Sequence, residues 1–136
     1  MKPIFPHNHA DCVVCQQPFF ADNTLQFTTV ELGVVRAEIV TTDRVQGYAG
    51  IMQGGLITAL HDSAMLHCLF SMGITAMTAK LETRFHQPVP VGVSIVVEAR
   101  WLATKRNLHQ LSSQISVEGQ VCSSAKSQFL SLPDTN

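Results

Sequence analysis

An α+β fold, in which an antiparallel sheet curls around one helix, is what the order of hydrophobic patterns along this sequence predicts. Two observations carry it. One stretch, Leu56 to Met72, is free of proline, rich in leucine, alanine and methionine, and followed by Gly73. It reads as a helix that stops where left-handed backbone is tolerated. Two strand-like runs precede it and four follow, joined by turns too short for parallel crossovers, which makes the sheet antiparallel with about six strands.

Taken in order, Met1 to Asp22 contains Pro3, Pro6 and Pro18 and reads as an irregular segment, residues 1–22, ahead of a folded domain over residues 23–136. Leu25 to Glu31 and, beyond Gly33, Val34 to Thr41 form a strand hairpin, with Val35, Ala37 and Ile39 on one face. Asp43 to Gly50 is a loop feeding the helix. Leu56, Ile57, Ala59, Leu60, Ala64, Met65, Leu66, Leu69 and Phe70 cover nearly every side of the helix, the signature of a buried one. Ala76 to Gln87 is the third strand, with Thr78, Lys80, Glu82, Arg84 and His86 on one side. That polar face is expected to point away from the helix, leaving a sheet surface for a partner subunit. Pro88 and Pro90 end it. Val93, Ile95, Val97, Ala99 and Trp101 alternate with polar neighbours, so the fourth strand has one buried face. Lys105-Arg106-Asn107 turns the chain into Leu108 to Val117, and Glu118-Gly119 turns it again. Gln120 to Leu132 closes the sheet, with Val121, Ser123, Ala125, Ser127 and Phe129 in alternation.

Composition narrows the functional classes. A chain of 136 residues is long enough for one domain with a real core. It is 46% hydrophobic and only 14% charged, which argues against disorder and for apolar surface buried between subunits, as a dimer or a dimer of dimers. A net charge of −1 gives no electrostatic case for nucleic acid or an anionic membrane. The helix would span roughly 25 Å, near bilayer thickness, but His61, Asp62 and His67 sit in its middle. Met1 to Ala10 lacks the apolar core and cleavage site of a signal peptide, so the chain is read as cytoplasmic.

Two constellations carry chemistry. Asp62 is the single acid of the apolar helix, and a carboxylate there costs several kcal/mol unless it is paired, hydrated or useful. It is either a general base or nucleophile with a shifted pKa, or a satisfied polar group bonded to Thr58 one turn earlier or to a strand backbone. Near the start, His7, His9, Cys12 and Cys15 spell H-x-H-x-x-C-x-x-C, four groups that zinc accepts. One short knuckle is an unusual way to close a tetrahedral site, so a redox pair or an accidental one stands beside the metal. Cys68 in the helix and Cys122 in a strand do not complete a disulfide framework.

GYAGIMQGGLITALHDSAM, then TAKLETRFHQPVPVG, VVEARW and SSAKSQFLSL together resemble the hotdog-fold acyl-CoA thioesterases of the PaaI-like branch, over roughly Asn23 to Leu132. The branch's H-G-G followed by a catalytic acid is matched in spacing by Gln53, Gly54, Gly55 and Asp62. Its R-F-x-x-P-V-x-x-G run is matched by Arg84, Phe85, Pro88, Val89 and Gly92. The early C-x-x-C has counterparts in part of this branch. The resemblance implies a thioesterase site shared across a dimer interface. The Gly54 N–H would polarise the thioester carbonyl with help from the helix dipole, and Asp62 of the facing subunit would attack it or activate water. Thr78 stands where relatives hold that water by a hydroxyl. Coenzyme A enters only as part of the substrate, and no other cofactor is implied.

Three departures are visible. Gln53 replaces the histidine and cannot exchange a proton, though it can donate a hydrogen bond to fix the loop. Gly47, with Gln46 adjacent, occupies a place where relatives carry Asn or Gln. His61 beside Asp62 is atypical, and helical geometry turns it about 100° from the acid. Each residue also has an ordinary structural role open to it: Gly54 and Gly55 as a tight turn, His61 and His67 as core or interface histidines, Thr78 as a strand threonine. Met65, Leu69 and Phe70 are core residues or line the acyl pocket. Arg84, Lys105, Arg106 and Lys126 are solvated cations or contacts for the phosphates of coenzyme A. The expected activity is hydrolysis of an acyl thioester. The alternatives are a hotdog protein that binds acyl-CoA without turning it over and, less favoured, a hydratase-type enzyme.

Overall fold

The computed structural model describes residues 6, 9–10, 12–15, 20 and 24–133. Seven elements follow one another: β1 (Thr28–Glu31), β2 (Val34–Val40), α1 (Gly54–Ser71), β3 (Ala76–Phe85), β4 (Ser94–Lys105), β5 (Leu108–Val117) and β6 (Gln120–Ser131). The strands form one six-stranded sheet in the order β1-β2-β4-β5-β6-β3, every pair antiparallel. This is the α+β arrangement expected, with α1 packed against β2, β3, β4, β5 and β6.

The physical reasons are local. Glu118 and Gly119 both adopt positive φ, 50° and 81°, the backbone of a two-residue hairpin turn whose twist matches its strands. Inward positions of three central strands alternate as expected: Val35 and Ala37, Ile95, Val97 and Ala99, Leu111 and Ile115 are buried against Leu60, Ala64, Met65, Cys68 and Leu69 of α1. Leu25 and Phe27 join that core from just before β1, which is shorter than the run from Leu25 suggests.

Buried residues encircle most of α1, and Gly55, Ala59, Asp62 and Leu66 are among the positions left at least partly exposed. Their spacing of four, three and four places them on one side. No helix among the described residues is long and apolar enough to cross a membrane.

Two expectations are corrected. Val93 and Trp101 do not share the buried face of β4; they are 42% and 38% exposed. Val93 precedes the strand, and beside Trp101 the β4–β5 pairing is irregular. On β3, Thr78 does not share a side with Lys80, Glu82 and Arg84. Thr78 pairs with the buried Phe129, whereas Lys80 pairs with Gln128, Glu82 with Lys126 and Arg84 with Ser124. The register shifts between Thr78 and Lys80, and one extra residue in a strand reverses the alternation. Thr78 thus faces the helix, and the charged residues after it face outward.

Candidate active site

The N-terminus of α1 is prepared by Gln53. Its side-chain Oε1 accepts from the Leu56 N–H at 2.9 Å, and its carbonyl accepts from Leu56 and Ile57. A helix leaves its first four N–H groups, here those of Gln53, Gly54, Gly55 and Leu56, without intrahelical acceptors; Gln53 Oε1 takes that of Leu56 and Val45 O takes that of Gln53. Gly54 and Gly55 hold the other two. Gln53 therefore works as an N-cap acceptor rather than the loop-fixing donor expected. Glycine at 55 leaves that cap room, since a Cβ there would lie 3.0 Å from Gln53 Oε1 and press on it. At Gly54 a Cβ would sit 3.7 Å from the Phe85 ring, an ordinary contact. Packing inside the chain does not require glycine there.

The loop before the helix is closed on itself. Gly47 N–H reaches Ile51 O at 2.8 Å, and Gln53 N–H reaches Val45 O at 2.8 Å. A Cβ on Gly47 would lie 3.3 Å from the Gln53 backbone, so glycine at 47 goes with close approach to the cap. Gln46 does not swing toward the helix N-terminus; its Oε1 accepts from Gly50 N–H at 3.0 Å.

Asp62 lies on the less buried stripe of α1, two turns beyond Gly54. The Thr78 hydroxyl donates to its Oδ1 at 2.5 Å, an arrangement that the bulge in β3 creates. Thr58 is not its partner, because Thr58 Oγ1 donates to Thr83 Oγ1 at 3.0 Å. Burial pushes the Asp62 carboxyl above its ordinary value, and the Thr78 hydroxyl pulls the other way. A carboxylate with a raised pKa and an oriented oxygen is a competent base.

His61, its neighbour, is fully buried and used structurally. Ser123 donates its hydroxyl to Arg84 O at 2.9 Å, so it accepts from His61 Nε2–H at 2.8 Å. The other nitrogen, Nδ1, then accepts from Ser113 Oγ. The chain of donors fixes a neutral ring, and burial lowers its pKa to about 4.

The remaining candidates are spread out. Met65 is fully buried, with the Ser127 hydroxyl on its sulfur at 3.0 Å. Arg84 and Lys126 line a groove on the outer face of the sheet with Glu82, Ser112 and Gln114, on the opposite side from Asp62. Lys105 and Arg106 sit exposed at the β4–β5 turn. His9, Cys12 and Cys15 come together with their ligand atoms within 4.8 Å of one another; His7 lies outside the described residues. Sequence reasoning named Phe85 only as part of a motif run; the structure sets it, 55% exposed, beside Gly54. Sequence reasoning missed the stripe around Asp62, which alternation of small and apolar residues at helical spacing could have indicated.

The family model described as the thioesterase superfamily matches residues 49–123. A thioesterase superfamily protein of known crystal structure is 27% identical, with a TM-score of 0.74. The match covers 86% of this chain and 58% of that one, so this chain spans well under two thirds of that relative's length. A thioesterase protein from Streptococcus pneumoniae TIGR4, crystallised with coenzyme A, is 14% identical over 83% of this chain and 92% of its own, TM-score 0.76. Two further structures of it carry an Asp→Ala and a Thr→Ala substitution. The Escherichia coli PaaI protein of the phenylacetic acid degradation operon is 14% identical over 78% of this chain and 82% of its own, TM-score 0.72. Among curated proteins no relative matches.

Proposed function

The chain belongs to the thioesterase superfamily, and from that premise we propose that it hydrolyses an acyl-CoA, or a related acyl thioester, to the free acid and thiol. The observation that carries the proposal is the Asp62–Thr78 pair, a carboxyl group with its pKa raised by burial on an incompletely covered helix stripe. Asp62 takes a proton from water, the resulting hydroxide adds to the carbonyl carbon, and the C–S bond breaks to release thiolate. The Gly54 N–H, at the positive end of α1, holds the oxyanion meanwhile. Gly54 has no packing reason to lack a side chain, so its bare backbone suits close approach by a substrate. Direct attack by Asp62, forming an anhydride that water opens, uses the same groups.

Asp62 and Gly54 of one chain cannot serve one carbonyl. Eight residues of helix separate them by roughly 12 Å along the axis. A second copy supplies the missing half, giving a homodimer with two sites. Three features support such pairing: the Gly55, Ala59, Asp62 and Leu66 stripe, the apolar Met77 and Phe85, 54% and 55% exposed on β3, and β3 itself. Among the described residues that strand pairs only with β6, so its other edge offers backbone groups to a partner strand. A cytoplasmic location goes with this reading, coenzyme A thioesters being water-borne substrates.

The test is thiol release from a panel of short, long and aromatic acyl-CoAs, followed by mixing two inactive variants, Asp62→Asn and Gly54→Val. Random pairing restores one intact site in half of the dimers, about a quarter of wild-type activity. No release from any acyl-CoA, with ligand still bound, favours a binding protein; release without recovery on mixing refutes the shared site.

A further inference from the structure

The His/Cys cluster has no part in the proposed hydrolysis, yet it is assembled against the helix that carries Asp62. Two successive turns build it. His9 N–H reaches Pro6 O at 2.9 Å and Cys12 N–H reaches His9 O at 3.2 Å, so His9, Cys12 and Cys15 recur every third residue and converge. Both sulfurs already take part in hydrogen bonds. Cys15 N–H points at Cys12 Sγ, 3.4 Å away. Cys15 Sγ is 2.8 Å from the Ser63 hydroxyl of α1. Hydrogen bonds of this kind hold and tune metal-bound thiolates.

One turn beyond Ser63 on the same helix stands His67, which is 3% exposed. Its ring lies 6.1 Å from that of His9, nearly perpendicular to it, and stacks on Phe27 at 4.8 Å. Neither ring nitrogen of His67 has a hydrogen-bond partner among the described residues. Buried polar groups of this sort are rarely left unsatisfied, and a ligand bond would remove one of the two vacancies.

We propose that His9, Cys12, Cys15 and His67 form a tetrahedral zinc site that clips the N-terminal segment onto α1 beside Asp62. Two thiolates and two imidazoles are a donor set that selects zinc among common divalent ions. Bonds of about 2.0–2.3 Å place tetrahedral donors roughly 3.3–3.8 Å apart. The three clustered atoms, within 4.8 Å of one another, close to that geometry by side-chain rotation. His67 supplies the ligand that the sequence motif alone does not specify, and it makes the site bridge a turn and a helix instead of closing within one knuckle.

The test is titration of the reduced full-length protein with cobalt(II), a spectroscopic stand-in, followed by displacement with zinc. One equivalent per chain is expected to give tetrahedral d–d bands and thiolate-to-cobalt charge transfer, both abolished by stoichiometric zinc. Cys12→Ser is expected to lose about half of the charge transfer or all binding. His67→Gln is expected to keep the charge transfer while its d–d bands weaken and move. Far-ultraviolet circular dichroism establishes that each variant is folded. Zinc should raise the melting temperature of the wild type and not that of Cys12→Ser. Absence of the bands in folded wild type overturns the site, as does an unchanged spectrum in Cys12→Ser. An unchanged spectrum in His67→Gln overturns the bridging ligand.

Discussion

Replacing Asp62 by asparagine separates chemistry from architecture. The substituted side chain keeps its volume and an Oδ1 to accept from Thr78, 2.5 Å away in the wild type, so no contact is lost. What disappears is the capacity to take a proton. A positioned general base contributes about 10²–10⁴-fold in rate, equivalent to roughly 3–5 kcal/mol of barrier. The substitution should therefore lower kcat by that factor and leave KM within a few-fold. Stability should move the other way or not at all. Burial raises the Asp62 pKa in the folded state, so the folded protein holds that proton more tightly than the unfolded chain does. The associated stability is present below the unfolded pKa and lost as pH rises through the folded value. Wherever the carboxyl is ionised, its burial thus works against the folded state, and asparagine removes that penalty. Thiol release from acyl-CoA gives kcat and KM; urea midpoints give stability. A variant that keeps kcat within tenfold refutes the base. A variant that loses activity together with several kcal/mol of stability shows that the acid serves the fold.

The remaining expectations use the same site. Thr78→Val removes the hydroxyl that pulls the Asp62 pKa down, so the acidic limb of the kcat/KM profile should shift to higher pH; an unmoved limb would sink this coupling. Gly55→Ala drives a Cβ to 3.0 Å from Gln53 Oε1 and should cost about 1 kcal/mol through the lost cap. Gly54→Ala should cost no stability, since its Cβ meets Phe85 at 3.7 Å, yet reduce kcat/KM; the two alanines compared by thermal melting and kinetics test both statements. His61 has its pKa depressed to about 4, so its stabilisation is present above the unfolded value near 6.5 and lost as pH falls toward 4, on the order of 3 kcal/mol in all. Denaturant unfolding across that range should show the loss, with Asp62 working in the opposite sense, and His61→Gln should flatten it.

Much of the fold was legible because hydrophobic periodicity is a one-dimensional signal. The apolar run of α1, the alternation of Ile95, Val97 and Ala99, and the Glu118-Gly119 turn each announce their structure. The motif spacing likewise singled out Gly54 and Asp62, the two groups on which the proposed hydrolysis rests. The sides of β3 were not legible, because simple alternation cannot register one unpaired residue; only pairing with β6 reveals that Thr78 changes face. The roles of Gln46 and Gln53 were hidden for another reason. An amide can donate or accept, and which end is used depends on backbone groups brought near by the turn. His67 was equally opaque, since its neighbour His9 lies far away in the chain.

The irregularity after Thr78 divides labour along a single ribbon. Upstream, β3 answers to the helix; downstream, Lys80, Glu82 and Arg84 answer to solvent. Were Ala79 instead to pair regularly with Gln128, those allegiances would exchange, with Lys80, Glu82 and Arg84 turned inward and no change in composition. Parity of residue count, as much as the identity of any side chain, is thus part of what the strand encodes.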